Sequence, residues 1–243
     1  FAVFLVIVFT LYWVAPARWR NPILLVASYI FYGYWDWRFL SLLAISTVAD
    51  YTIGIQMGRR EKQSTRTRLL LLSVAINLGI LGFFKYFDFF VENFNLVLEA
   101  VGLSPSLPVL GVLLPVGISF YTFQTMSYSI DVYRGVIEPR ESYLDYLVYV
   151  SFFPQLVAGP IERASHLLPQ LHGTPEVTRN DVSDGVFLFV VGLFKKVALA
   201  DYLARYVDPI YASPGDYQAA ALALATVAFA WQIYFDFSGY SDI

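Results

Sequence analysis

Long apolar runs recur along almost the whole chain, and this feature limits the possible folds more than any other. Eight stretches are rich in aliphatic and aromatic residues, and they cover residues 1–14, 22–34, 39–57, 69–90, 110–130, 144–159, 186–200 and 219–234. A helix needs about 20 such residues to cross the hydrocarbon core of a bilayer. With 58% hydrophobic and 14% charged residues, the chain has too little polar surface to face water on all sides. The sequence predicts an all-α, multi-pass transmembrane helical bundle in a lipid bilayer.

Charge and composition exclude several other classes. The net charge is −3 and the basic residues are scattered, unlike the basic patch of a nucleic-acid-binding protein. The chain has no cysteine and only two histidines, so no metal site is expected. No internal repeat or linker divides residues 1–243. We therefore expect one integral membrane domain, truncated at both ends.

The loops between the apolar stretches differ in charge. The loop at 59–68, RREKQSTRTR, is the most basic, whereas residues 91–109 and 208–218 contain no lysine or arginine. Cytoplasmic loops carry an excess of these residues. The pattern predicts that 59–68 faces the cytoplasm and that the other two loops face outward.

One apolar stretch is unsuited to a continuous helix. Residues 151–163 read SFFPQLVAGPIER, with Pro154, Gly159 and Pro160 inside, and proline removes a helical hydrogen bond. If the basic loops on both sides face the cytoplasm, residues 144–159 enter and leave the membrane on that side as a re-entrant, proline-broken segment. Irregular backbone at membrane depth must be buried in protein or line a wet cavity. A short helix kinked at Pro154 is the alternative.

Polar residues inside apolar stretches suggest structural contacts. Lys85 and Asp88 are three residues apart, which predicts an ion pair on one helical face. Asn77 and Gln124 are interpreted as amides that hydrogen-bond between helices.

Two groups near the end of the chain suggest a ligand site. Lys195 and Lys196 late in an apolar stretch either extend to the membrane surface or attract an anion such as a phosphate. The stretch FDFSGYSD at 235–242 places polar groups directly after an apolar helix. Its side chains either line a tunnel or cap an ordinary helix end, and the candidates are Asp236, Ser238, Tyr240 and Asp242.

The two histidines are six residues apart, His166 and His172, in a stretch interpreted as a loop because it contains Pro169 and ends at Gly173. We interpret both as solvated or capping residues, since a loop does not hold an imidazole as rigidly as general-base catalysis requires. No GxSxG, HExxH, GxGxxG or P-loop pattern is present, which argues against hydrolases, zinc proteases, dinucleotide enzymes and ATP-driven pumps.

Five stretches that occur in a fixed order resemble a known family. They read FFKYFDFFVENFN, LPVGISFYTFQTMSYSIDVYRG, YLVYVSFFPQLVAGPIERASHLLPQL, GLFKKVALAD and FDFSGYSDI. Together they resemble the membrane-bound O-acyltransferase family, and its bacterial branch of alginate O-acetylation and teichoic acid D-alanylation most of all.

This resemblance implies an enzyme that moves an acyl group, favoured to be acetyl, from a cytoplasmic thioester donor to hydroxyls of an extracytoplasmic polysaccharide, with an alginate-like exopolysaccharide favoured. The donor would be acetyl-coenzyme A or an acyl carrier, and no cofactor would be bound tightly. A partner protein outside the bacterial inner membrane is implied as well. Residues expected to bind the donor or line the tunnel are Gln155, Gly159, Pro160, Arg163, Lys195, Lys196, Asp236, Ser238, Tyr240 and Asp242.

The catalytic histidine of the family lies in a Trp-His motif downstream of the stretch that resembles FDFSGYSDI. No residue of this chain matches it, so we assign no catalytic residue and expect the fragment alone to be inactive. A membrane transporter or flippase of envelope sugars or lipids is the alternative function, and it predicts a structural repeat that this sequence does not display.

Overall fold

A computed structural model describes residues 2–103, 107–139, 142–156, 159–173 and 175–243. It is 82% helical and has no strand among these residues, which confirms the predicted all-α class. The chain forms two compact units: the first comprises Phe1–Val157 and Ile161–Thr174, and the second comprises Ala158–Pro160 and Pro175–Ile243. One integral membrane domain stays a prediction.

Within the described ranges, the first unit contains the helices α1 (Ala2–Val14), α2 (Ala17–Asp36), α3 (Phe39–Gly58), α4 (Gln63–Ala100), α5 (Ile118–Arg134), α6 (Tyr143–Ser151), α7 (Phe153–Leu156) and α8 (Ala164–His172). The second unit contains α9 (Arg179–Phe194), a π-helical segment (Lys195–Ala200), α10 (Asp201–Ala212), a 3₁₀ turn (Pro214–Asp216) and α11 (Ala219–Asp242). Among the described residues, α3, α4 and α11 are long and apolar enough to cross a membrane.

Helices α3, α4 and α5 pack against one another in the first unit, while α2 packs on α6 and α6 on α8. Their shared core is aromatic, with Tyr121, Tyr128 and Tyr146 fully buried beside Leu43 and Met57. Burial of large aromatic side chains contributes much of the packing energy in such a core. These contacts hold α6 and α8 in place.

Helix α5 begins later than the sequence predicted. The apolar stretch 110–130 is helical only from Ile118, because Gly117 has a left-handed φ of 75° that ends the preceding loop. The loop is held by Asp88 of α4, whose carboxylate accepts hydrogen bonds from the backbone amides of Leu110 (3.0 Å) and Val112 (2.7 Å).

The predicted ion pair between Lys85 and Asp88 is therefore wrong. Lys85 Nζ instead lies 3.5 Å from Ser119 Oγ, and no ion pair joins the two side chains in the described part of the chain. Backbone N–H groups of a non-helical loop need hydrogen-bond acceptors. The two carboxylate oxygens of Asp88 accept from two such groups instead of pairing with Lys85.

Hydrogen bonds show which helix ends of the first unit lie together. Tyr32, near the end of α2, donates to the carbonyl oxygen of Val116 before α5 (3.0 Å). At the other end, Arg66 in the first turn of α4 donates to the carbonyl oxygen of Val132 near the end of α5 (3.0 Å). The start of α2 therefore lies at the same end as the basic residues 59–68. Only 59–62 of the predicted loop are non-helical, because α4 begins at Gln63.

Candidate functional site

A fully buried tyrosine, Tyr149, links the segments around the break between α6 and α7. Its carbonyl oxygen accepts hydrogen bonds from Gln124 Nε2 of α5 (2.7 Å) and Gln155 Nε2 of α7 (3.3 Å). Its hydroxyl lies within hydrogen-bonding distance of the carbonyl oxygens of Gln124 (3.2 Å) and Glu162 (3.1 Å). The predicted role of Gln124 as an amide between helices is confirmed.

Side chains satisfy the backbone groups that the break releases. Helix α6 ends at Ser151, and the amide of Phe153 donates to Ser28 Oγ of α2 (3.2 Å). Pro154 stands in the first turn of α7, where its missing N–H costs no helical hydrogen bond. A buried backbone group without a hydrogen-bond partner is costly, so these contacts let the chain depart from a helix inside an apolar stretch.

The other candidates from the SFFPQLVAGPIER stretch lie in different surroundings. Gln155 is buried at 8% exposure, Gly159 is buried, and Pro160 and Arg163 are not. The carbonyl oxygen of Arg163 accepts the first hydrogen bonds of α8. Residues 157 and 158 of this stretch lie outside the described residues.

The two histidines lie on α8, so the prediction that they belong to a loop is wrong. Pro169 is accommodated inside this nine-residue helix. His166 Nδ1 lies 2.9 Å from a carboxylate oxygen of Glu162, and His172 Nδ1 lies 3.1 Å from one of Asp145. Both imidazole side chains are largely exposed, at 70% and 66%, as a solvated role predicts.

Sequence reasoning missed a buried carboxylate, Asp50 of α3, which is completely inaccessible. Asn77 Nδ2 donates to it at 2.7 Å and Ser73 Oγ at 2.5 Å, both from α4, while Ser129 Oγ of α5 lies 3.4 Å away. Asn77 Oδ1 in turn accepts from Thr125 of α5 (3.0 Å). This cluster joins three helices, and it confirms Asn77 as a residue that hydrogen-bonds between helices.

The second unit brings together five of the ten predicted site residues. Lys195 Nζ contacts Asp242 Oδ2 (2.5 Å) and Ser238 Oγ (2.9 Å). Lys196 Nζ contacts Asp236 Oδ1 (2.5 Å) and, at the start of α10, Asp201 (2.9 Å). Two cations thus face three carboxylates, and each lysine charge is offset within the unit.

The lysines lie on a π-helical segment where α9 meets α11. A Cβ placed on Gly192 of α9 would come 2.6 Å from the carbonyl oxygen of Gly239 in α11, so the two backbones are in direct contact. π-helical turns inside α-helices often occur at functional sites. Tyr240, the remaining candidate of this group, is half-buried on α11.

Together these features define a helical membrane protein with a broken helix and internal polar clusters. No family model matches the chain. The chain is 42% identical over 241 residues to the probable alginate O-acetylase AlgI of Pseudomonas putida, covering 99% of this chain and 49% of that protein. It is 40% identical to the probable alginate O-acetylase AlgI of Azotobacter vinelandii, over 99% and 48%. It is 32% identical to the peptidoglycan O-acetyltransferase of Helicobacter pylori, over 99% and 50%.

These relatives are members of the membrane-bound O-acyltransferase family, and the resemblance predicted from the five stretches is confirmed. The chain spans about half the length of the curated relatives it matches.

Proposed function

We propose that the full-length protein is a membrane-bound O-acetyltransferase of the bacterial inner membrane that acetylates an extracytoplasmic polysaccharide, with an alginate-like polymer as the favoured acceptor. The observation that carries the proposal is the similarity, over 99% of this chain, to relatives named O-acetylases and O-acetyltransferases. The proposed donor is acetyl-coenzyme A or an acetylated carrier in the cytoplasm. An extracytoplasmic partner protein completes the system.

In the proposed reaction a sugar hydroxyl attacks the carbonyl carbon of the thioester. A C–O bond forms, the C–S bond breaks, and the hydroxyl proton passes through a general base to the leaving thiolate. The family resemblance assigns that base to a histidine in a Trp-His motif, which no residue of this chain matches. This chain supplies the scaffold and part of the path between the two aqueous compartments.

The proposed path includes the break between α6 and α7 as a re-entrant element. Asn21 supports this, since its Nδ2 donates both to Asp145 near the start of α6 (2.7 Å) and to the carbonyl oxygen of Leu171 near the end of α8 (2.8 Å). The start of α6 and the end of α8 therefore lie together beside Asn21, with the broken segment between them in the chain. A thin, polar-lined partition is what a reaction between two compartments needs.

The lysine cluster is the second proposed element. Lys195 and Lys196 would attract phosphates of the donor near the cytoplasmic side. Their present partners are Asp242, Asp236 and Asp201, so donor binding in this proposal exchanges carboxylates for phosphates.

The test uses purified full-length protein, acetyl-labelled donor and either alginate or peptidoglycan fragments. Ester-linked label in one polymer supports the proposal. Tyr149→Phe should lower the rate by about tenfold, the scale of one or two lost hydrogen bonds, whereas Tyr143→Phe on the exposed face of α6 should not. Uptake of labelled sugar into vesicles without ester formation would favour the transporter instead.

A further inference from the structure

A small cavity of about 280 Å³ opens in the first unit where α2 and α6 begin and α8 ends. Its lining includes Arg18, Arg20 and Asn21 from the first turns of α2. This is the end of the unit that also carries the basic residues 59–68. The lining of the cavity does not include the break between α6 and α7. A ligand bound in this cavity therefore need not take part in acyl transfer.

Arg20 is stacked against two aromatic rings. Its guanidinium carbon lies 5.2 Å from the ring centroids of both Tyr12 and Trp13, at the end of α1. Two of its nitrogens, Nε and Nη1, are buried and have no hydrogen-bond acceptor among the described residues. The guanidinium group is always charged and carries five N–H donors, and a buried charged donor without an acceptor is costly.

The carboxylate in the cavity does not neutralise this charge. Asp145 accepts a hydrogen bond from Asn21 Nδ2 (2.7 Å) and faces His172 Nδ1 (3.1 Å). Neither Arg18 nor Arg20 forms an ion pair with any carboxylate in the described part of the chain. Arg18 is exposed. Within the described ranges, two arginines at one cavity therefore have no counter-ion of their own.

The geometry points to this cavity as a binding site for a phosphate group. A phosphate offers several acceptor oxygens and a charge that matches two arginines, and guanidinium groups bind phosphate through charge-assisted hydrogen bonds. Tyr and Trp side chains concentrate where a membrane meets water, and Tyr12 and Trp13 place the cavity at that depth. The phosphate belongs either to an anionic lipid headgroup or to free phosphate in the adjoining water.

The test measures binding to the full-length protein in detergent micelles with three probes. Phosphatidylglycerol presents the phosphate on a lipid, inorganic phosphate presents it alone, and diacylglycerol is a lipid without phosphate. Arg20→Gln should weaken binding of a phosphate probe by about tenfold or more, as expected for lost hydrogen bonds to a charged group. Arg59→Gln is the matched control, because it removes an arginine at the same end but outside the cavity.

Binding of phosphatidylglycerol alone assigns the site to a lipid headgroup, and binding of inorganic phosphate as well assigns it to the phosphate itself. The proposal is overturned if neither phosphate probe binds, if diacylglycerol binds as tightly as phosphatidylglycerol, or if Arg59→Gln weakens binding as much as Arg20→Gln. Should Arg20→Gln fail to fold, Arg20→Lys and Arg18→Gln decide the matter. Arg20→Lys keeps the charge but loses the planar guanidinium that stacks on Tyr12 and Trp13, and both variants should bind the probe more weakly.

Discussion

Asn21 and Asp145 are 124 positions apart in the chain and are joined by a hydrogen bond of 2.7 Å from Asn21 Nδ2 to Asp145 Oδ1. The same Asn21 amide reaches the carbonyl oxygen of Leu171. One side chain therefore holds together the first turn of α2, the start of α6 and the end of α8. This contact supports a topology in which the broken segment enters and leaves the membrane on one side, and labelling can test it.

We predict that single cysteines at positions 143 and 163 react from the same side of the membrane. The chain contains no cysteine, and Tyr143 and Arg163 flank the broken segment. Replacing each with Cys in the full-length protein and labelling intact cells with an impermeant maleimide provides the measurement. Glu61→Cys should behave like both, and Trp37→Cys, at the opposite end of the first unit, should label from the other side. Labelling of 143 and 163 from opposite sides would contradict the re-entrant proposal.

A second prediction concerns the buried carboxylate of Asp50. Asp50→Ala removes the acceptor for Ser73 and Asn77 and leaves their donors without that partner in a buried site. We expect a loss of about 3 kcal/mol in the free energy of unfolding in detergent micelles. Thr52→Ala is the control on the same helix, since the Thr52 hydroxyl bonds to carbonyl oxygens of its own helix. Equal losses in the two variants would show that the Asp50 cluster does not stabilise the bundle.

The Asp50 cluster also shows which sequence pattern indicates a polar contact between helices. The cluster contains Ser73 and Asn77 of α4 and Thr125 and Ser129 of α5. The two members of each pair are four residues apart, so they lie on one helical face. Polar pairs at this spacing inside apolar stretches indicate a polar seam between helices. The contacts of Asn77 and Gln124 between helices can be predicted because each is a single amide in an apolar stretch. The contacts of Asp50 can be predicted only when the spacing of its partners is taken into account.

Other features depend on tertiary contacts that no local pattern contains. The apolar stretches predicted most of the helices, yet the loop before α5 is fixed by the carboxylate of Asp88, which lies 22 positions before Leu110. The helical state of α8 likewise coincides with burial of Ala164 and Leu168 in the core, despite Pro169 within it. The π-helical segment coincides with the close approach of Gly192 to another helix.

The third prediction tests the close contact between Gly192 of α9 and Gly239 of α11. A Cβ at Gly192 would lie 2.6 Å from the carbonyl oxygen of Gly239, whereas a Cβ at Gly185 on the same helix would meet nothing within 4 Å. Gly192→Ala should therefore push α9 away from α11 and cost about 2 kcal/mol. Gly185→Ala should be neutral or stabilise by up to about 1 kcal/mol, because alanine favours helix. Thermal unfolding of both variants in micelles makes the comparison, and a Gly192→Ala variant as stable as Gly185→Ala would refute the tight contact.

The last prediction is that neither His166 nor His172 is the catalytic base of acyl transfer. Their helix could hold an imidazole in place, so the argument rests on exposure. The side chains are 70% and 66% exposed, and charge stabilisation in a transition state is strongest where water is excluded. His166→Ala and His172→Ala in the full-length protein should each lower the rate of acetyl transfer by less than about tenfold, well below the hundredfold or more typical of a lost acid-base group. Rates are measured with saturating labelled donor, and circular dichroism checks folding. A loss of about a hundredfold in the folded His172→Ala variant would instead make His172, oriented by Asp145, the proton acceptor.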